Sequence, residues 1–288
     1  MKYAIYLPTF DPFGNPKVIA SLARDAEQSG WDGFFIWDDV AASDKDLADA
    51  WISLAAAAVA TQQVRLGVLV TPLARRRPWK FARETASLDH LSGGRLVVGV
   101  GVGGGQEQFG DLGDEPNQRL RGEMLDEGLA VVSGLWSGDA FEFDGAYYQL
   151  KPTVFRPKPL QQPRIPIWVA GVWPNKRPLA RMARWDGMFP LFWGVDDLDK
   201  QQAYLKQMVS QVREMRAELL PDSAQFPFDV VVVTATDPAQ PAQSAEQVAG
   251  FAAAGATWML ESLEPAFGGG QRSFGELRAR VLAGPPAG

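Results

Sequence analysis

The chain has 288 residues, 46% of them apolar, which is ample for one large core, with no cysteine and a single histidine. Disulfides, thiolate chemistry and a histidine-rich zinc site are therefore excluded, and 28 basic against 34 acidic residues, a net charge of -6, argue against a nucleic-acid partner. The opening MKYAIYLPTF is too short an apolar run for a signal segment, and no stretch approaches the length of a membrane span, so a cytoplasmic protein without membrane attachment is expected.

Strands are predicted to begin near Tyr3, Gly33, Arg65, Arg95, Ile167, Gly187, Phe228 and Thr257. The first helix carries Val18, Ile19, Leu22, Ala23 and Ala26 at helical spacing and stops at Gly30; the second carries Trp51, Ile52, Leu54, Ala55, Ala58 and Val59. Leu66 to Val70 is an aliphatic strand ending at Thr71-Pro72. Pro78 then opens a helix whose stripe is Phe81, Ala82, Thr85, Leu88 and Leu91, and Gly93 closes it. Leu96 to Val100 is the next strand, and it runs into Gly101, Gly103, Gly104 and Gly105. The first three spacings are near 30 residues, the length of a strand, helix, strand crossover.

The gap between the fourth and fifth strands is longer. It holds a helix from Leu120 to Trp136, then FEFDGAYYQL, whose central Asp144-Gly145 signals a hairpin, then a proline-rich extended strap. Ser244 with Gln247, and Ser273 with Glu276, are predicted capping boxes of the last two helices. The fold class is α/β: a (β/α)8 TIM barrel forming one domain over 1–284, with an insertion over 138–166 and a frayed tail over 284–288. A doubly wound open sheet is the alternative.

In such a barrel the active site lies at the C-terminal strand ends. There the sequence places Phe10, Trp37, Asp38, Asp39, Thr71, the glycine run, Gly171, Val172, Trp173, Phe192, Trp193 and Glu261. Aromatics and glycines outnumber titratable groups, which favours binding a large flat ligand. Gly99, Gly101 and Gly104 match GxGxxG, but the turn-rich QEQFGDLGDEPNQ follows where a dinucleotide site needs a helix, so the glycines more simply leave room for a ring beside the backbone. The stretch from Gly171 to Pro178, with Asn175, Lys176 and Arg177, is either a phosphate seat at a helix start or an ordinary loop with two solvated cations. Arg75-Arg76-Arg77 reads first as a solvated face. Asp38 and Asp39 are the candidate acid/base pair, and adjacent strand residues point to opposite faces, so at most one faces a ligand. His90, late in a helix, is expected to pack or face solvent.

The segments SLARDAEQSGWDGFFIWDDV, RLGVLVTPLARRRPWKFARETASLDHLSGGRLVVGVG, LDEGLAVVSGLWSG and RPKPLQQPRIPIWVAG resemble the luciferase-like monooxygenase family over nearly the whole chain. The resemblance implies a barrel mouth that binds FMN or the deazaflavin coenzyme F-420, with its phosphate near Gly171, Val172, Trp173, Asn175 and Lys176. It also implies a non-proline cis peptide at Leu69–Val70 behind the ring, near Thr71, Gly101 and Gly103. Two departures matter. Asp39 stands where many relatives carry histidine, and Gln108 stands where many carry glutamate.

An exposed aspartate near its reference pKa of about 3.9 is a weak base. Phe10, Trp37, Phe192 and Trp193 would line a dry substrate pocket. The expected function is therefore a flavin-dependent oxidoreductase, a monooxygenase using reduced FMN and oxygen on a small organic substrate, with a separate flavin reductase as partner and only a modest loss on Asp39→Asn. The alternatives are a deazaflavin-dependent hydride transferase, a glycoside hydrolase using Asp38 or Asp39 with Glu261, and a flavin-binding protein without turnover. A two-fold homodimer through the alanine-rich second helix is expected.

Overall fold

The computed structural model describes residues 1–42, 44–105, 107–222, 225–265 and 272–286. Eight parallel strands close into a barrel: β1 (Lys2–Leu7), β2 (Gly33–Ile36), β3 (Arg65–Pro72), β4 (Leu96–Gly101), β7 (Ile167–Val172), β8 (Gly187–Leu191), β9 (Asp229–Thr234) and β10 (Trp258–Ser262). The antiparallel pair β5 (Ala140–Asp144) and β6 (Gln149–Val154) stands apart as a two-stranded sheet between β4 and β7 in sequence. Each barrel strand begins within one residue of its predicted start. No helix among the described residues is long and apolar enough to cross a membrane.

Strand alternation sorts the side chains into two cores. Ala4, Tyr6, Phe35, Leu69, Trp168, Phe189, Trp258 and Leu260 fill the barrel, while Ile5, Leu7, Phe34, Ile36 and Met259 face the helices outside. Phe35 stacks on Trp168 at 5.2 Å, and Trp258 meets both rings edge-on at 5.9 and 5.4 Å. Glycines make room for them. A Cβ on Gly67 would lie 2.7 Å from Phe35, and one on Gly187 would lie 2.5 Å from Trp168.

The helices are α1 (Pro16–Gln28), α2 (Ala50–Ala60), α3 (Pro78–Ser92), α4 (Gln118–Trp136), α5 (Lys176–Met182), α6 (Leu198–Leu219), α7 (Pro241–Ala253) and α8 (Phe274–Leu282). Proline opens α1, α3 and α7, and Gly93 ends α3 at φ 67°. Ser273 and Glu276 form the predicted capping box of α8. α2 stops without glycine, because buried Arg95 donates to the carbonyls of Ala58, Thr61 and Val64 at 2.9–3.0 Å.

Several local expectations fail, each for a tertiary reason. α7 starts at Pro241, so Ser244 lies inside it and its hydroxyl bonds the Asp237 backbone instead of capping. The hairpin predicted at Asp144-Gly145 does form, with a four-residue loop in which Glu127 on α4 accepts from the N–H groups of Ala146, Tyr147 and Tyr148. The strap begins with a strand, since Lys151 to Val154 belong to β6. Leu91, Ile52 and Val59 are exposed, while Asp89 is buried and accepts two hydrogen bonds from Gln161. Gly284, placed in the tail, is buried, and its carbonyl accepts from Arg280 at 2.7 Å. Residues 287–288 of that tail lie outside the described residues.

Candidate active site

A cavity of about 470 Å³ opens at the C-terminal mouth of the barrel, where such folds place their chemistry. Leu69 and Val70 line it from β3, joined by a cis peptide bond, and Tyr6 and Phe189 line it from inside the barrel. The Tyr6 hydroxyl donates to Leu69 O at 2.7 Å. Burial, reinforced by Asp39 and Glu264, holds its pKa well above the ordinary phenol value. Trp37, Phe109, Phe192 and Trp193 add aromatic walls, and Trp193, 67% exposed, stands at the rim.

β2 ends at Ile36, so Trp37, Asp38 and Asp39 lie beyond the strand and strict alternation does not apply. Both residues border the cavity, although the Asp38 side chain is only 1% exposed. Their surroundings separate them. Asp38 accepts from Arg76 at 2.8 Å on both oxygens and from the Trp51 indole at 3.3 Å, so its charge is already neutralised. Asp39 forms no hydrogen bond or ion pair with a described residue. Burial, then the like charges of Asp38 and Glu107 against the opposing pull of Arg75, push its pKa up to about 6. The premise of an exposed aspartate of ordinary acidity is thus corrected.

The charge run is corrected as well. Arg76 pairs with Asp38, and Arg75 is buried against the cavity with its guanidinium 4.4 Å from the Phe109 ring centre; only Arg77 is exposed. Phe109 meets a second guanidinium, that of Arg121, at 3.9 Å. Arg121 donates to the carbonyls of Val102, Glu115, Pro116 and Gly103, and so fixes the loop after β4. Gly103 in that loop has φ +70°, and a Cβ there would lie 2.4 Å from Phe109, so a bare backbone at the cavity wall is required. No α-helix starts at the glycines; a single 3-10 turn at Gly110–Leu112 follows, and the next α-helix is α4 at Gln118. A dinucleotide fingerprint is therefore ruled out by geometry.

A second cavity of about 680 Å³ lies on the far side of the same loop: Val102 lines it, and Gly103 lines the first. Asn175, Lys176, Arg177 and Arg184 face it, with Arg181 held by Asp126 at 2.6 Å.

A family model described as luciferase-like monooxygenase matches residues 1–273. The chain belongs to the luciferase-like monooxygenase family. It is 38% identical to the uncharacterized protein Rv0953c of Mycobacterium tuberculosis over 47% of this chain, and the match spans about half, 48%, of that relative's length. It is 27% identical to the oxygenase component of flavin-dependent trigonelline monooxygenase of Acinetobacter baylyi, over 69% of this chain and 56% of that protein. It is 33% identical to the F420-dependent glucose-6-phosphate dehydrogenase of Nakamurella multipartita, over 61% and 52%. Its fold matches an F420-dependent secondary alcohol dehydrogenase solved with an F420-acetone adduct (TM-score 0.77, 19% identity, 92% of this chain and 94% of that one). The monooxygenase RslO1 of Streptomyces bottropensis matches equally well (TM-score 0.77, 20% identity, 98% of each chain).

The named relatives of this luciferase-like barrel divide between flavin and F420. A glycoside hydrolase is excluded on its own geometry too. Glu261 alternates outward from β10 and is consumed by Arg280 at 3.1 Å and Thr236 at 2.7 Å.

Of the candidate site residues singled out in the sequence, Trp37, Asp38, Asp39, Leu69, Val70, Gly103, Gly104, Phe192 and Trp193 line the main cavity, and Asn175, Lys176, Arg177 and Pro178 line the second. The others do not line either. Phe10 packs on Trp37 at 5.9 Å but borders a neighbouring cavity with Asp11 and Lys45. Thr71 is fully buried in β3, and Gly101 lies beneath Val70 and Ala170. Val172 ends β7, and Trp173 packs against Tyr204 at 6.4 Å. Gly171 is a packing glycine: a Cβ would meet Pro178 at 2.4 Å and Met182 at 2.9 Å. The sequence reading missed Tyr6, Arg75, Phe109, Phe189 and Glu264 as wall residues. Inward alternation along β1 and β8 is the signal that carries Tyr6 and Phe189.

Proposed function

We propose that the protein is a hydride-transferring oxidoreductase that uses a flavin-type cofactor, the deazaflavin coenzyme in first place, on a small organic substrate. Asp39 carries the reading: a carboxyl at the cavity mouth, free of partners among the described residues, with its pKa raised to about 6. A group of that acidity exchanges a proton readily near neutral pH, as oxidation of an alcohol or reduction of a carbonyl requires at the substrate oxygen. The F420-dependent dehydrogenases among the relatives fit this chemistry.

The residues suit such a cofactor. About 470 Å³ falls within the roughly 300–1,000 Å³ typical of small-ligand sites. Leu69, Val70 and the bare Gly103-Gly104 backbone would hold a flat ring, while Asn175 and Lys176 across the loop would take its phosphate. When bound, the cofactor supplies the two-electron acceptor or donor that no side chain here provides. Asp39 Oδ holds or accepts the substrate proton, and Trp37, Phe189 and Phe192 keep water from the reacting carbon.

A second reading, an FMN oxygenase served by a separate reductase, draws support from the same aromatic lining and from the trigonelline monooxygenase relative. Titrating the purified protein with each cofactor, followed by absorbance and fluorescence, decides between them. We expect the deazaflavin to bind more tightly; tight FMN binding with no response to the deazaflavin would turn the assignment to the oxygenase.

The phosphate seat has its own test. Substitution of Gly171 would report packing against α5, so Lys176→Met is the cleaner change: FMN affinity should fall by about tenfold and riboflavin affinity should hardly change. Equal losses would remove Lys176 from the seat. Ile52 and Val59, 64% and 67% exposed and two turns apart on α2, support a two-fold dimer through that face. Light scattering should then give twice the 31.4 kDa chain mass.

A further inference from the structure

Arg75 has no task in the reading above. Its side chain is 8% exposed although it lines the cavity. A guanidinium carries five N–H donors, and buried donors are nearly always matched. Among the described residues Nη2 hydrogen-bonds Gln108 O, Nε forms an ion pair with Asp114 at 3.6 Å that is longer than a hydrogen bond, and Nη1 has no partner. Trp37, on the wall of the same cavity, has a buried Nε1 that is also unmatched among the described residues. Arg76, by contrast, is spent on Asp38. Two residues of the same cavity wall thus carry buried donors unmatched among the described residues.

We propose that this part of the wall is a carboxylate-binding subsite for the substrate, with Arg75 as the anchor and Trp37 Nε1 as a second donor, and that the substrate is a small organic acid. The planar fork of arginine matches the two oxygens of a carboxylate, which meets several unmatched donors at once. Gln108 gives this subsite a fixed relation to Asp39. Its carbonyl accepts from Arg75, while its side-chain amide accepts from Val40 N and donates to Ala41 O, next to Asp39 in the chain. Arg75 and Asp39 are also close enough to act on one another electrostatically. A 2-hydroxycarboxylate, with its hydroxyl one carbon from its carboxylate, spans such a pair. This last step rests on Asp39 as the proton-exchanging group; the subsite itself does not.

The test compares mandelate with mandelamide, which differ in the carboxylate alone, by calorimetry on the purified full chain without turnover. Mandelate should bind at least about tenfold more tightly than the amide. Arg75→Met should bring mandelate to the level of the amide while FMN and deazaflavin affinities stay within about threefold of the unsubstituted protein. Arg75→Lys, which keeps the charge and loses the fork, should fall between, and Trp37→Phe should weaken mandelate about threefold. Absent or equal binding of the two probes overturns the proposal. So does an Arg75→Met variant that loses cofactor affinity as severely as mandelate affinity, which would give the arginine to the cofactor. Should Arg75→Met fail to fold, the ratio in the unsubstituted protein and the Arg75→Lys variant decide alone. None of these readouts depends on Asp39, whose role is read from the pH dependence of turnover.

Discussion

Replacing Asp39 by asparagine is expected to lower kcat/KM by about 10²–10⁴-fold, the usual worth of a positioned general acid or base. Asparagine keeps the shape and polarity of the side chain and loses its charge and its capacity to take up and release a proton. The pH dependence fixes the sign. With its pKa raised to about 6, Asp39 is mostly ionised at pH 7 and ready to accept. For substrate oxidation, kcat/KM should therefore rise with pH through about 6 and level off. For carbonyl reduction the protonated form is needed, and kcat/KM should fall through the same range. Asp39→Asn should flatten both profiles while leaving cofactor affinity within a few-fold. Removing Arg75, whose charge now lowers the Asp39 pKa, should move the inflection upward. A variant that keeps a third or more of its activity with an unchanged profile would refute the hydride-transfer reading and restore the oxygenase.

The barrel was legible because its signals are local. Aliphatic runs such as Leu96–Val100 end in glycine or proline, a helix opens on Pro78, and Gly93 closes it; each is a property of a few consecutive residues. The site was legible where it follows from strand ends, as at Trp37 and Asp39. It was not legible where distant residues decide the chemistry. Arg75-Arg76-Arg77 looks solvated until Asp38 and Phe109 arrive from the segments after β2 and β4 to cover two of the three. Asp39 has the ordinary acidity of its type until burial and the carboxylates of Asp38 and Glu107 raise it. Gly171 reads in sequence as part of either a phosphate seat or an ordinary loop, whereas Pro178 and Met182 explain the glycine itself as packing. Tyr6 and Glu264 escaped because the site reaches one pleat below the strand ends on β1 and two residues past the end of β10.

Arg280→Met is expected to destabilise the fold by about 3–5 kcal/mol, the cost of leaving a buried charge without its partner. Glu261 is wholly buried on the outer face of β10, and burial raises its pKa against the opposing pull of Arg280 and Thr236. Arg280, on α8, donates to Glu261 at 3.1 Å, to Thr236 Oγ1 at 2.9 Å and to Gly284 O at 2.7 Å, and its guanidinium lies 5.0 Å from the Trp31 ring centre. The Trp31 indole in turn donates to Val281 O at 2.9 Å, so one cluster joins α8 to β10, to the loop after β9 and to the segment after α1. Methionine fills similar volume and spares the packing, which isolates the electrostatic loss. The double variant Glu261→Gln with Arg280→Met removes both charges and should recover a large part of the stability, because no uncompensated ion remains. Urea unfolding of the four proteins measures the coupling. A single-variant loss below about 1 kcal/mol, within the range of a surface pair, would show that α8 is held by its apolar contacts through Leu277 and Val281 instead.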